Sequence, residues 1–103
     1  MATVNVVLTK VEGYDDSGRH VIPVPAADYK VQENFTSSGT SQATTAAAAG
    51  RDEVWCVTVS GGDVYVSVGS SPTAASGTGW LIKDGVTWQA SAEADQKLAL
   101  IDA

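Results

Sequence analysis

Between Glu53 and Gly69 the chain reads EVWCVTVSGGDVYVSVG, with apolar residues on alternate positions either side of a Gly-Gly pair. A period of two marks a strand with one buried face and one solvated face. With Gly61-Gly62 as a two-residue turn, antiparallel pairing sets Val59 opposite Val64, Val57 opposite Val66 and Trp55 opposite Val68, all on one face. The other face carries Thr58 opposite Tyr65 and Cys56 opposite Ser67, as on a half-solvated sheet. A one-residue slip would turn the valines to water, so this register is the expected one.

Other segments follow the same rule less regularly. Val4, Val6 and Leu8 alternate with Thr3, Asn5 and Thr9 to predict a first strand, although Val7 and Val11 break the pattern. Glu12 to Gly18, EGYDDSG, reads as a turn-rich connection. His20 to Val24 is extended, and Pro23 and Pro25 confine it to a sheet edge or an arm, because proline donates nothing to a ladder. Tyr29 to Phe35 is a weaker strand, diluted by Lys30, Gln32 and Glu33. Residues 36–50 form a low-charge Ser/Thr/Ala-rich loop or arm, whose four consecutive alanines are too short a run for more than one turn of helix.

Ser70 to Gly79 is a loop. Trp80-Leu81-Ile82 then leads into Asp84-Gly85, a hairpin signal, with Val86 to Gln89 returning. That pairing sets Leu81 opposite Trp88 and places Trp80 and Trp88 on opposite faces. Lys97 to Ile101, KLALI, is apolar on both faces and expected between neighbours. Seven or eight short strands without a long helix predict an all-β antiparallel β-sandwich or jelly roll, one domain over 1–103.

Composition narrows the function. The net charge is -6 and the six Lys and Arg are scattered, which argues against nucleic acid as a partner. No apolar run approaches the roughly 18 residues of a membrane span, and the N-terminus lacks a signal-peptide pattern, so a soluble product is expected. Only 17% of residues are charged, leaving a surface of Ser, Thr, Gly and Ala that is readily desolvated against protein. The single cysteine, Cys56, forms no intrachain disulfide and fits a reducing compartment of synthesis.

Catalytic patterns lack their parts. The one histidine, His20, lies in the proline-flanked segment, and no G-x-S-x-G elbow accompanies it. One Cys and one His in distant segments do not make a zinc site, and Asp15-Asp16-Ser17-Gly18 lacks the later oxygens of a calcium loop. Gly61-Gly62 has neither a basic residue nor a following helix for phosphate. Glu53, Asp63 and Glu93 sit at expected strand ends, where solvated carboxylates are ordinary. Asn34-Phe35-Thr36 matches a glycosylation triplet without a secretion signal to support it. No enzyme activity, cofactor or metal is expected. Because Trp80 and Trp88 cannot both face one local core, one of them is a candidate interface anchor or sugar platform.

From residue 64 onward the sequence resembles the head decoration, or cement, proteins of tailed bacteriophages. The likeness rests on Val64-Tyr65-Val66-Ser67-Val68-Gly69, Ser71-Pro72-Thr73-Ala74, Gly79-Trp80-Leu81-Ile82 with Gly85-Val86, and Lys97-Leu98-Ala99-Leu100-Ile101, about half of the chain. Ala94-Asp95-Gln96 departs from it, standing where a glycine-containing turn is expected. The resemblance implies a structural virion protein on the capsid surface, made in the host cytoplasm. It further implies self-association, a homotrimer before a homodimer, and the phage major capsid protein as partner. Tyr65, Trp80, Trp88, Pro23 and Pro25 are then the candidate interface residues. The alternative is a carbohydrate-binding or host-adhesion fibre module that uses an exposed Trp.

Overall fold

Strand β1 (Thr3–Tyr14) carries the first sheet. Its first part lies between β3 (Val31–Thr36) and β5 (Glu53–Ser60), with Val4 opposite Phe35 and Val59, Val6 opposite Glu33 and Val57, and Leu8 opposite Val31 and Trp55. Strand β8 (Thr87–Ser91) continues this sheet beyond β5. The computed structural model describes residues 2–14, 21–25, 29–50 and 53–103, the side chains of 11–14 and 21–25 excepted. The Asp15 to Gly18 turn and His20 therefore lie outside the described residues.

Past Lys10, β1 leaves β5 and pairs with β2 (Val21–Pro25), which makes a two-stranded ribbon at the sheet edge. Glu12 faces Val24 while Tyr14 faces Val21, so Ile22 and Pro23 together oppose Gly13 in a bulge. The strand thus runs through Glu12-Gly13-Tyr14, where a turn was expected. At about 3.3 Å per residue, twelve residues of β1 reach about 40 Å, most of the 48 Å long axis of the molecule.

The second sheet has the order β4 (Gln42–Ala43), β9 (Lys97–Asp102), β6 (Val64–Gly69), β7 (Trp80–Ile82). All pairings are antiparallel. The two sheets form an all-β sandwich of nine strands among the described residues. Strand β9 does lie between neighbours, with Leu98, Ala99 and Leu100 buried.

Both expected hairpins are instead arches between the sheets. Strand β5 pairs with β1 and β8, and β6 with β9 and β7, so Val59, Val57 and Trp55 are not laddered to Val64, Val66 and Val68. Likewise Leu81 faces Tyr65, and Trp88 faces Val57. The reason is that alternation fixes which face is buried but not which strand is the neighbour. Laid side by side, β5 and β6 would show one apolar face needing a cover, whereas an arch makes each the cover of the other. Trp55, Val57, Val59, Val64 and Val66 are all buried, and Tyr65 is on the far side of β6 from Val64 and Val66.

Glycines make the arches possible. Gly61 has φ 93° and Gly85 has φ 82°, the latter at the third position of a turn closed by Val86 N–H to Lys83 O at 3.1 Å, as a type II turn requires. The arches are clipped together: Asp84 accepts the Gly61 N–H at 2.9 Å, and Asp63 takes the Asp84 N–H at 2.9 Å and Lys83 Nζ at 2.8 Å. At the other end Asp95 occupies the position of the missing turn glycine. Its φ of 66° is left-handed, which Asp tolerates better than most residues.

No helix forms among the described residues, and the alanine run shows why. The N–H groups of Thr45 and Ala46 go to the Glu33 carboxylate, that of Ala48 to Gln96 O at 2.8 Å, and that of Ala49 to Glu53. Tertiary acceptors take the donors that a helical turn would use.

Glu53 is 2% exposed, not solvated as a strand-end acid would be. Burial alone would raise its pKa. The Ala49 N–H, the Lys30 ammonium at 3.1 Å and the Gly50 N–H outweigh that and hold it below the usual 4.5. A carboxylate with a depressed folded pKa contributes stability above its unfolded value and loses it as pH falls through the folded one. Urea midpoints should therefore fall below about pH 4.5, and Glu53→Gln should flatten that fall while costing about 1–3 kcal/mol at pH 7. An unchanged acid slope in the variant would remove this role.

Trp55 is fully buried, and its indole N–H has no hydrogen-bond partner among the described residues. An unmet buried donor costs about 1–3 kcal/mol. Trp55→Ala should lose about 3–5 kcal/mol by cavity formation, whereas Trp55→Phe discards the orphan donor with the volume and should lose less than about 1.5 kcal/mol. Denaturant unfolding of the two variants measures the difference.

Candidate functional site

Strands β7 and β8 are the terminal strands of their sheets on the same side of the sandwich, and an arch joins them. Trp80 begins β7 in register with inward-facing Val66, and Trp88 lies on β8 in register with inward-facing Val57. Both indoles thus point between the sheets from opposite rims. Their centroids are 6.0 Å apart with planes tilted by 48°, within the range of favourable aromatic pairs. Trp88 packs on the core, and Trp80 remains 63% exposed. One tryptophan does lie outside the core, but the two are in contact across the sheets, not on opposite faces of one hairpin.

Leu81 and Val86 are each 45% exposed beside them. On the outer face of the second sheet Leu81, Tyr65 and Ile101 form one row across β7, β6 and β9. The edge therefore has an exposed indole at its rim and an apolar row around the corner. At its end Asp63 and Lys83 neutralise each other: Lys83 and the Asp84 N–H lower the Asp63 pKa, and Asp63 raises that of Lys83. No net charge from this pair interrupts the strip.

Gly79 positions Trp80. Its φ is 99°, and a Cβ there would come within 2.5 Å of Val66 O, so the chain passes too close to β6 for any side chain.

Among the described residues, β3, β5, β8 and the Thr3–Thr9 part of β1 place no charged side chain on the outer face of the first sheet, and Thr9 and Val54 at one end of that face are buried. The registers place Gln32, Asn34 and Thr36 on it from β3, and Thr3, Asn5, Val7 and Thr9 from β1. Val54, Cys56, Thr58 and Ser60 of β5 and Thr87, Gln89 and Ser91 of β8 complete it. Amides and hydroxyls bond within the face: Asn5 and Gln32 both donate to Asn34 Oδ1, at 2.9 and 2.8 Å, and Thr58 meets Thr87 at 3.2 Å. Burial raises the Cys56 thiol pKa, against a weaker opposing contact from Gln89 at 3.7 Å. A thiol so placed is poorly ionised and behaves as packing.

Of the candidate interface residues, the fold gathers Tyr65, Trp80 and Trp88 at one edge. Pro23 and Pro25 lie in β2 on the far side of β1, in a separate region. Glu53 and Asp63 stand at opposite ends of β5, about 26 Å of strand apart, beyond the reach of a glycosidase pair. Among the described residues no three His, Cys, Asp or Glu side chains converge to hold a metal. Neither the Trp80–Trp88 contact nor the Leu81–Tyr65–Ile101 row was expected; both arise from the arches. The burial of Glu53 had a sequence signal, since it shares parity with Trp55, Val57 and Val59.

Compared with family models, curated proteins and solved structures, the chain gives no match.

Substituting Gly79 should therefore act on the edge as well as on stability. Gly79→Ala is expected to cost at least about 1 kcal/mol and to shift tryptophan emission as Trp80 moves off Trp88. Retention of both the unfolding midpoint and the spectrum would contradict the close approach.

Proposed function

We propose that this protein is a non-enzymatic structural component of a tailed-phage virion that docks as a symmetric oligomer on neighbouring major capsid subunits at the capsid surface. The observation that carries this reading is the concentration of exposed Trp80, Leu81 and Val86 along one open edge of a sandwich whose β3, β5 and β8 strands, with Thr3–Thr9 of β1, place no charged side chain on the outer face. Exposed aromatic and aliphatic anchors beside readily desolvated polar surface are what protein docking uses. The resemblance of residues 64–101 to head decoration proteins supplies the virion context. Many copies on one shell would add weak individual contacts through avidity.

A second reading keeps the same edge and changes the ligand. Trp80, exposed and propped by Trp88, is also the kind of platform on which a sugar ring stacks. The two readings separate in one pair of measurements. Co-sedimentation with undecorated heads of the phage that encodes the chain is expected, and Trp80→Ala should weaken it by about 2 kcal/mol, more than tenfold. Failure to sediment with heads, together with glycan quenching of tryptophan fluorescence that Trp80→Ala abolishes, would overturn the capsid reading in favour of the second.

A further inference from the structure

We propose that β8 is the self-association edge of the protein, pairing antiparallel with β8 of a second copy across a two-fold axis through Gln89, so that the first sheets of the two copies run on as one. This deepens the oligomer part of the reading above and stands or falls without any capsid.

The argument begins with the backbone. In an antiparallel ladder alternate residues direct their N–H and C=O groups to opposite sides. Val59 N–H donates to Val86 O, and Ala92 N–H donates to Glu53 O, so the even-numbered residues of β8 face β5. Thr87, Gln89 and Ser91 then direct three N–H and three C=O groups away from β5, on the side where the sheet ends. A two-fold axis at Gln89 sets Gln89 opposite itself and Thr87 opposite Ser91 of the second copy, and about six hydrogen bonds close. The strand is complementary to itself.

The guards that keep edges apart are missing here. Natural edges are protected by proline, bulges, charges or shortness. Strand β2 has Pro23, Pro25 and a bulge; β4 and β7 have two and three residues. Strand β3 carries Glu33, whose carboxylate holds the 45–46 backbone. Strand β8, TWQAS, has five residues, no proline, no bulge and no charge. In a chain of net charge -6 a second copy is a poor partner over most of the surface. The outer face that β8 continues carries only uncharged side chains from β3, β5, β8 and Thr3–Thr9 of β1. A single isologous contact of this kind closes as a dimer.

Because residue 89 meets itself across the axis, charge exchange tests the register directly. Sedimentation equilibrium of the full chain is expected to show a monomer–dimer equilibrium. Gln89→Lys and Gln89→Glu alone should each weaken it at least tenfold, and an equimolar mixture of the two should restore it. The Gln89 N–H points away from the β5 ladder, and its side chain lies exposed on the outer face, where it makes only the long 3.7 Å contact to Cys56 Sγ, so both variants should fold with a urea midpoint close to that of the wild type. Gln89→Pro, which removes an outward donor at an edge position that tolerates proline, should likewise fold and remain monomeric. A wild-type monomer at every soluble concentration would overturn the proposal. So would a dimer or trimer that survives Gln89→Lys, or a mixture that fails to pair.

Discussion

The inward side chains Val4, Val6, Leu8, Trp55, Val57 and Val59 of the first sheet are kept from water by Val64, Val66, Ile82, Leu98 and Leu100 of the second. Each such burial contributes about 1.5–3 kcal/mol, and among the described residues each sheet is the cover of the other's apolar face. The need to bring two half-apolar sheets together shapes the rest of the chain. It is the reason that, of the consecutive strands, only β1–β2 and β6–β7 pair, while β3–β4, β4–β5, β5–β6, β7–β8 and β8–β9 cross between layers.

Crossing connections place polar backbone near the core, and the structure answers with fixed acceptors. Glu33 and Glu53 take the amides of residues 45, 46 and 49; the Thr44 hydroxyl accepts the Leu98 N–H at 3.1 Å and donates to Ala46 O at 3.0 Å. Such groups satisfy donors that lie outside any ladder. The low-charge tract is thereby fastened over the core by carboxylates on β3 and β5. Its order is borrowed from the sheets, since its own sequence has neither periodicity nor a cap.

What the sequence displays most clearly is parity. The alternation through Trp55, Val57 and Val59, and again through Val64 and Val66, names the buried face correctly, and with it the sandwich. It does not distinguish a hairpin from an arch, because both keep the same residues inside. Gly61-Gly62 and Asp84-Gly85 permit a reversal without stating its plane. Everything that follows from the plane was therefore illegible: Trp80 against Trp88, Leu81 beside Tyr65, and β8 as a sheet edge. Asp95 hid a left-handed turn residue behind a non-glycine identity, and the burial of Glu53 was masked by the usual exposure of acids even though its parity with Trp55 declared it.

Strand β1 belongs at once to the sandwich and to the ribbon. Its Thr3–Lys10 part lies in register with β5 and, through Leu8, with β3, while Val11–Tyr14 holds β2. A pull on the ribbon along the strand axis would load those two ladders in shear, with all their hydrogen bonds sharing the force together and not opening one after another. The ribbon is thus a handle on the middle of the sheet, and tension applied there is carried into the core strand before it reaches any edge.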